Sequence, residues 1–355
     1  MQPLRPYPGR QRLRRFRSRR AHPRAASLDR PDATSPGAVP APATALDATD
    51  AALTREAALV RWLRRHGSVL VGYSGGVDST YLAAVALATL GANRTLAVIG
   101  RSASYPDSQW TMARQVAARI GLPVLEVATG EMSDPRYAAN PHNRCYFCKG
   151  ELWSKLAPIA RERGLAIVVD GTNADDLGGH RPGMQAAREW GVASPLADAG
   201  LTKADIRANS ATRGLPTWDQ PSSPCLSSRL PTGTAVTPLR LARVEAAERA
   251  ARAVGVTGNL RVRYHGDVAR VELDAGELAR WRAPGYREVL RDAVTAAGFA
   301  RVELDLRGFR SGMANEPPAA GDLDVLDDAS GGRRGATAVA VGRGGRAAGP
   351  ADGER

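Results

Sequence analysis

From Ala52 to about Gly191, short apolar and largely β-branched runs alternate with stretches whose apolar positions recur at helical spacing. "SVLVGY" (68–73), "TLAVIG" (95–100), "PVLEVA" (123–128) and "LAIVVD" (165–170) predict strands buried on both faces, because they lack the polar alternation of a half-solvated strand. Between them "DSTYLAAVALATLG", "PDSQWTMARQVAARIG" and "CKGELWSKLAPIARERG" predict helices, each closed by a glycine. This alternation implies an α/β fold, a doubly wound parallel sheet, over residues 52–231. One further helix follows Thr202, whose hydroxyl caps it with Asp205 three residues on, and Gly214-Leu215-Pro216 stops it. Beyond a Pro/Ser-rich loop the grammar changes. A helix opening on Thr237-Pro238, the strand pair "NLRVRYH" and "VARVELD", a helical segment at about 276–297 and "RVELDLRGF" predict a small α+β domain over 232–315. No internal repeat is visible. Residues 1–51 and 316–355 show no sustained periodicity and read as disordered tails.

Charge sharpens this division. The chain of 355 residues has a net charge of +13, and residues 1–30 hold ten arginines against the single acid Asp29. The part predicted to fold is only mildly basic, so no ordered nucleic-acid-binding face is expected. No apolar run approaches the length of a membrane span, so no membrane partner is expected. Three cysteines, without the apolar core of a secretory signal, argue for the cytoplasm and against a disulfide framework.

Candidate chemistry begins at "GYSGGVDST" (72–80). A strand running into Ser-Gly-Gly and opening a helix presents free backbone N–H groups and the helix's positive end at the carboxyl edge of the sheet. Gly75 and Gly76 admit a phosphate without an intervening Cβ, Ser74 and Ser79 offer hydroxyls, and Asp78 beside a phosphate implies Mg²⁺ between them. The plainer alternative is an ordinary strand–helix turn. The string resembles the pyrophosphate loop of the ATP-pyrophosphatase (PP-loop) superfamily, which implies ATP held by Ser74, Gly75, Gly76, Asp78 and Ser79. In "NPHNRCYFCKGEL", Cys145 and Cys148 stand in C-x-x-C spacing between Arg144 and Lys149, positive neighbours of the kind that lower a thiol pKa; Cys225 follows 80 residues after Cys145. Simple burial, a redox dithiol, a zinc site completed by His142, and an iron–sulfur cluster on three thiolates all remain open, the last being favoured. Arg261 and Arg263, two apart on one strand, share a face and suit a phosphate or carboxylates, unless they are merely solvated. Ser228 and Arg229 lie close to Cys225 in sequence. Glu248 lies on a helix whose acids read equally as a solvated face. Asp175 and Asp176 in "GTNADD" either bind Mg²⁺ or a ribose, or cap a helix.

Taken in order, "GYSGGVDST", "NRCYFCK", "DGTNADD", "SSPCLSSRLPTG", "LRVRYHGDVARVEL" and "VELDLRGFRSGMAN" resemble the LarE family over about residues 52–315. These are ATP-dependent sulfur transferases of nickel-pincer cofactor biosynthesis. The resemblance implies that ATP adenylates a carboxylate of a small-molecule pyridinium biscarboxylic acid mononucleotide and that sulfur then displaces AMP. It further implies, for a chain with three cysteines, a 4Fe-4S cluster on Cys145, Cys148 and Cys225 loaded by a sulfide donor. Arg261 and Arg263 would hold the substrate phosphate, and Glu248 would act as an active-site acid. A homo-oligomer, possibly hexameric within the family, is implied as well. Two rival readings remain: a tRNA-thiolating enzyme of the same superfamily, and a zinc-stapled domain with a nucleic-acid-binding tail.

Overall fold

Val69, Leu70 and Val71 are all fully buried, yet Val69 and Val71 join one apolar cluster and Leu70 another. A strand sandwiched in this way has no use for polar residues on either face, which is why its sequence reads as a continuous apolar run. The computed structural model describes residues 45–178, 181–310, 315–319 and 321–326. Its regular elements are α1 (Ala45–His66), β1 (Val69–Gly72), α2 (Val77–Leu90), β2 (Thr95–Arg101), α3 (Asp107–Ile120), β3 (Val124–Ala128), α4 (Pro135–Ala138), α5 (Arg144–Glu162), β4 (Ile167–Val169), α6 (Pro182–Glu189), α7 (Pro195–Asp198), α8 (Lys203–Thr212), α9 (Pro238–Ala253), β5 (Leu260–His265), β6 (Val268–Leu273), α10 (Ala275–Arg282), α11 (Tyr286–Thr295), β7 (Arg301–Asp305) and β8 (Leu323–Val325).

The first four strands form a parallel sheet in the order β3-β2-β1-β4. The cluster on one face draws on α1, α2 and α3, and the cluster on the other on α5 and α6. This is the doubly wound, Rossmann-like arrangement expected, and the carboxyl ends of β1, β2 and β3 come out side by side. A second sheet, β5-β6-β7-β8, pairs β6 with β7 in parallel and its outer pairs antiparallel. Its apolar face packs under α9, α10 and α11.

Three features differ from the pattern reading. The single helix expected at about 276–297 is α10 and α11, because Ala283 before Pro284 takes extended backbone and Gly285 sits at φ +86°. β8 falls where a tail was expected from residue 316; a strand of three residues carries too little periodicity to be seen, although Leu326 beside it is buried. The first helix begins at Ala45, ahead of the expected start at 52. The arginine-rich stretch up to residue 44, residues 311–314 of the closing motif and residues 327–355 lie outside the described residues.

The second sheet's core also reaches back across the boundary expected at 231/232. Tyr137, Leu226 and Leu230 belong to its apolar cluster, and Phe147 and Cys148 pack against it. The cysteine-bearing segments are therefore part of the packing between the two sheets. No described helix is long and apolar enough to cross a membrane.

Candidate active site

The strand–turn–helix at 72–79 forms the floor of a cavity of about 390 Å³, lined by Gly72, Ser74, Gly76, Asp78 and Ser79 together with Cys145, Lys149, Asp170, Gly171, Thr172, Asp176 and Arg181. The two glycines serve different ends. Gly75 is at φ +66°, and a Cβ there would lie 2.4 Å from Ala113 Cβ on α3, so both conformation and space require glycine. Gly76 has ordinary backbone (φ −78°), and a Cβ there would meet nothing closer than Ser74 Oγ at 3.6 Å. No protein atom demands glycine at 76; the space it leaves opens on the cavity. The loop is held from behind. Tyr105 Oη and Gln109 Nε2 donate to the Ser74 carbonyl at 2.9 and 3.0 Å, and Ser74 N donates to Ser79 Oγ at 3.2 Å. The N-terminus of α2, with its unpaired N–H groups and positive dipole end, thus faces a preformed space suited to an anion.

Sequence reasoning missed the partner of Asp78. Lys203 Nζ lies 2.5 Å from Asp78 Oδ2, and Asn173 Nδ2 donates weakly to Oδ1 at 3.4 Å. Lys203 is the first residue of α8, fixed by the Thr202–Asp205 capping box. Asp175 serves as a cap, accepting from Lys203 N at 2.8 Å, whereas Asp176 lines the cavity and pairs with Arg181 at 2.7 Å. A lysine immediately after an N-cap threonine was the available signal, but nothing local ties it to a residue 125 positions earlier.

Side-chain bonds to main-chain carbonyls dock the two cysteine-bearing segments on one another. Buried Asn140, at φ +55°, donates from Nδ2 to the carbonyls of Pro231 and Thr234 at 2.8 and 2.9 Å. Arg144 Nη1 donates to the Ser227 carbonyl at 3.0 Å. These bonds dock the "NPHNRC" loop on the segment that carries Cys225. Cys148 and Cys225 line a smaller cavity of about 150 Å³ beside Ser102, Ser104, Thr129, Glu131 and Lys149, while Cys145 lines the cavity at the 72–79 turn. Gly72, Ser74 and Lys149 border both spaces. The thiols do not have the lowered pKa that their basic neighbours led us to expect. Burial raises Cys145, and the nearby Cys225 adds to it, outweighing Arg144 and Lys149. Cys148 is raised further by burial, with Cys225, Glu131 and Cys145 opposing its ionisation.

The arginines of β5 are buried, not solvated. Arg263 forms a bidentate pair with Glu272 (2.9 and 2.7 Å) and donates to the Ser228 carbonyl at 2.8 Å. Arg261 has no carboxylate partner among the described residues. It donates to the carbonyls of Leu260 and Ser222 and lies over the Phe309 ring, and burial, then Arg229, push its pKa down to about 10, so it is cationic at neutral pH. It borders a third cavity, about 400 Å³, with Gln109, Ser222, Leu226, Arg229, Glu248, Arg249 and Arg252. Arg229, at 2% exposure, is bidentate to Glu248 (2.8 and 2.9 Å) and donates to the carbonyls of Pro224 and Cys225 at 2.6 and 3.1 Å. Glu248 also accepts from Val262 N at 3.0 Å. Glu248 therefore fixes Arg229, and Arg229 fixes the main chain at Cys225. Ser228 donates back to the Cys225 carbonyl at 2.7 Å.

Among the described residues no three His, Cys, Asp or Glu side chains are arranged to hold a metal ion. Mg²⁺ binds through one or two carboxylates plus substrate phosphates and water. Asp78 and Asp176, with the hydroxyls of Ser74 and Ser79, are hard oxygen donors of the right kind. For a cluster, the donor chemistry fits: three thiols free of disulfides, with Cys225 close enough to oppose the ionisation of both Cys145 and Cys148. Their side chains are not gathered around one point.

The NAD synthase family matches residues 59–154, the stretch from the end of α1 into α5. A pyridinium-3,5-bisthiocarboxylic acid mononucleotide synthase of Lactiplantibacillus plantarum is 35% identical over 263 residues, covering 74% of this chain and 94% of that protein. An uncharacterized protein of Synechocystis sp. is 43% identical over 246 residues (69% of this chain, 91% of that one). An uncharacterized protein of Methanocaldococcus jannaschii is 26% identical over 253 residues (70% and 92%).

Proposed function

Since the chain belongs to the LarE family, whose Lactiplantibacillus plantarum member is a pyridinium-3,5-bisthiocarboxylic acid mononucleotide synthase, we propose that it is an ATP-dependent sulfur transferase acting on a pyridinium biscarboxylic acid mononucleotide. The observation that carries this reading is the shared border of the nucleotide-loop and cysteine cavities at Gly72, Ser74 and Lys149. An activated acyl group and a sulfur nucleophile must meet, and here one strand end serves both.

A carboxylate resists nucleophiles until its oxygen becomes a good leaving group. A substrate carboxylate oxygen attacks the α-phosphorus of ATP, pyrophosphate leaves, and sulfur then displaces AMP to give the thiocarboxylate. The α2 N-terminus, Gly75, Gly76, Ser74 and Ser79 cradle the phosphates. Asp78, with Asp176 near it, would hold Mg²⁺, which neutralises phosphate charge when bound; Lys203 must then exchange its present partner for the polyphosphate. Arg261, lacking a carboxylate of its own, takes the substrate's anionic end. Arg263, Arg229 and Glu248 keep that guanidinium and the Cys225 segment in place. Cys145, Cys148 and Cys225 would hold a 4Fe-4S cluster, which would supply the sulfur when bound.

Anaerobic incubation with ATP, sodium sulfide and the biscarboxylated mononucleotide should release AMP and replace carboxylate oxygen by sulfur in the product mass spectrum. AMP release with no mass change would reduce the reading to an adenylating enzyme. Anaerobic protein should carry iron and lose it in each Cys→Ala variant; stoichiometric zinc without iron would refute the cluster.

A further inference from the structure

Ser74 heads the Ser-Gly-Gly turn, and its carbonyl accepts from two donors, Tyr105 Oη and Gln109 Nε2. In a trans peptide the carbonyl and the following N–H point in opposite directions, so whatever holds Ser74 O also aims the N–H of Gly75. Gln109 is 5% exposed and lies in the first turn of α3, which walls the cavity of about 400 Å³ lined by Arg249, Arg252 and Arg261. A second amide backs it: Gln220 Nε2 donates to Gln109 Oε1 at 3.1 Å, and Gln220 lines the same cavity. The main-chain carbonyl of Gln220 accepts from Arg207 Nη2 at 2.7 Å, and two residues on, the Ser222 carbonyl accepts from Arg261. One short segment thus ties the arginine cavity to the turn proposed for ATP.

The direction of each amide is fixed from the far end. Ser74 O only accepts, so Gln109 must offer it Nε2, which leaves Oε1 for Gln220; Gln220 must answer with its own Nε2. Its Oε1 is then left over, buried and without a hydrogen-bond partner. An unpaired buried acceptor destabilises the arrangement that contains it. Gln220 therefore has two competing states. Turned in, it orients Gln109 and strands an oxygen. Turned out into the cavity, it gives that oxygen to water, and Gln109 loses its orienting partner.

We propose that Gln109 and Gln220 are positioning residues that couple the arginine cavity to the Ser-Gly-Gly turn, so that an anionic phosphate ester in the cavity and ATP at the turn tighten each other's binding. The identity of that ester rests on the substrate role given to Arg261 above. A ligand drawn in by the arginines fills the space that Gln220 needs to turn out and displaces the water that would satisfy it, so it binds the inward state better. Gln109 then stays aligned and the Ser74 carbonyl keeps both donors. Coupling of binding is reciprocal: ATP, by fixing the turn, favours inward Gln220 and a formed wall for the second ligand. ATP is thereby held tightly when there is a carboxylate to activate.

Calorimetry of the full chain with Mg²⁺ and α,β-methylene-ATP, which cannot be cleaved between those phosphates, measures the coupling as the ratio of its Kd without and with saturating biscarboxylated mononucleotide. Wild type should show a ratio of about ten, within the range usual for coupled sites. Gln220→Met, similar in shape but without the amide, and Gln220→Glu, which sets an acceptor against Gln109 Oε1, should bring the ratio below about three. Gln109→Met should do the same and also weaken binding of the ATP analogue alone, because Ser74 O keeps only Tyr105. A variant that is merely less stable weakens both Kd values together and leaves the ratio in place. A wild-type ratio near one, or an undiminished ratio in Gln220→Met, would overturn the proposal. If the mononucleotide fails to bind wild type, the substrate reading falls instead. The same ratio measured with ribose 5-phosphate, with Arg261→Met as the control for binding at the turn itself, then decides the coupling.

Discussion

The adjacent glycines of the Ser-Gly-Gly turn allow shape and chemistry to be separated by two substitutions of the same size. In Gly75→Ala the new methyl would begin 2.4 Å from Ala113 Cβ and 2.7 Å from Ala113 Cα, on a helix that cannot retreat without disturbing the apolar cluster behind it. Left-handed backbone at φ +66° costs an L-residue about 1–2 kcal/mol, and overpacking of this kind about 1–3 kcal/mol, so destabilisation should total about 2–5 kcal/mol. In Gly76→Ala, with φ −78° and no atom nearer than 3.6 Å, stability should move by no more than about 1 kcal/mol. The methyl at 76 nonetheless occupies space bordering the cavity proposed for ATP. Urea unfolding read beside substrate-dependent AMP formation distinguishes the two. Gly75→Ala should lose both stability and activity, and adding Ala113→Gly should not restore stability, because the clash with Ala113 Cα at 2.7 Å remains and glycine inside a helix itself costs about 1 kcal/mol. Gly76→Ala should stay folded and lose ATP affinity. A Gly76→Ala protein with wild-type KM for ATP would refute the phosphate-cradle argument. A Gly75→Ala protein of wild-type stability would refute the geometric one.

Four further outcomes follow from the ionisable groups that folding shields from water. Arg229→Met strands the carboxylate of Glu248 and should cost about 3 kcal/mol, whereas Arg229→Met/Glu248→Leu should recover most of it, because a buried ion pair is often replaceable by apolar residues; denaturant midpoints check both. Burial holds Cys148 above the ordinary thiol value of 9.0, so its alkylation in the metal-free protein should be slow at neutral pH. Below that value both folded and unfolded chains are protonated. Above it the unfolded thiols ionise first, so stability should fall as pH rises past about 9, and fall less in Cys→Ala variants. Burial, then Arg270 and Arg263, push His265 from 6.5 down to about 4. The unfolded chain therefore takes up a proton that the folded one refuses, and stability should decline as pH drops from about 6.5 toward 4; a flat profile in that window would contradict the burial of this imidazole.

Gln109 and Gln220 show why some of the site escaped notice in the chain. They stand 111 positions apart, and only the approach of Ser74 and of the arginine cavity makes their pairing conspicuous. The same holds for Lys203 and Asp78, and for Arg229 and Glu248, whose pairing depends on how separate segments dock.

What residue order determined unaided was everything local. Apolar runs marked the strands of the parallel sheet, glycines and capping residues marked helix ends, and Ser-Gly-Gly-Val-Asp-Ser marked the anion-facing turn, because strand burial, helix capping and glycine freedom each act within a few residues. Tertiary structure alone decided which carboxylate meets which cation, that the β5 arginines are buried, and that Cys225 joins two thiols some 80 residues away. Those outcomes depend on distances through space, set when the second sheet's core closes over Tyr137, Phe147 and Leu226.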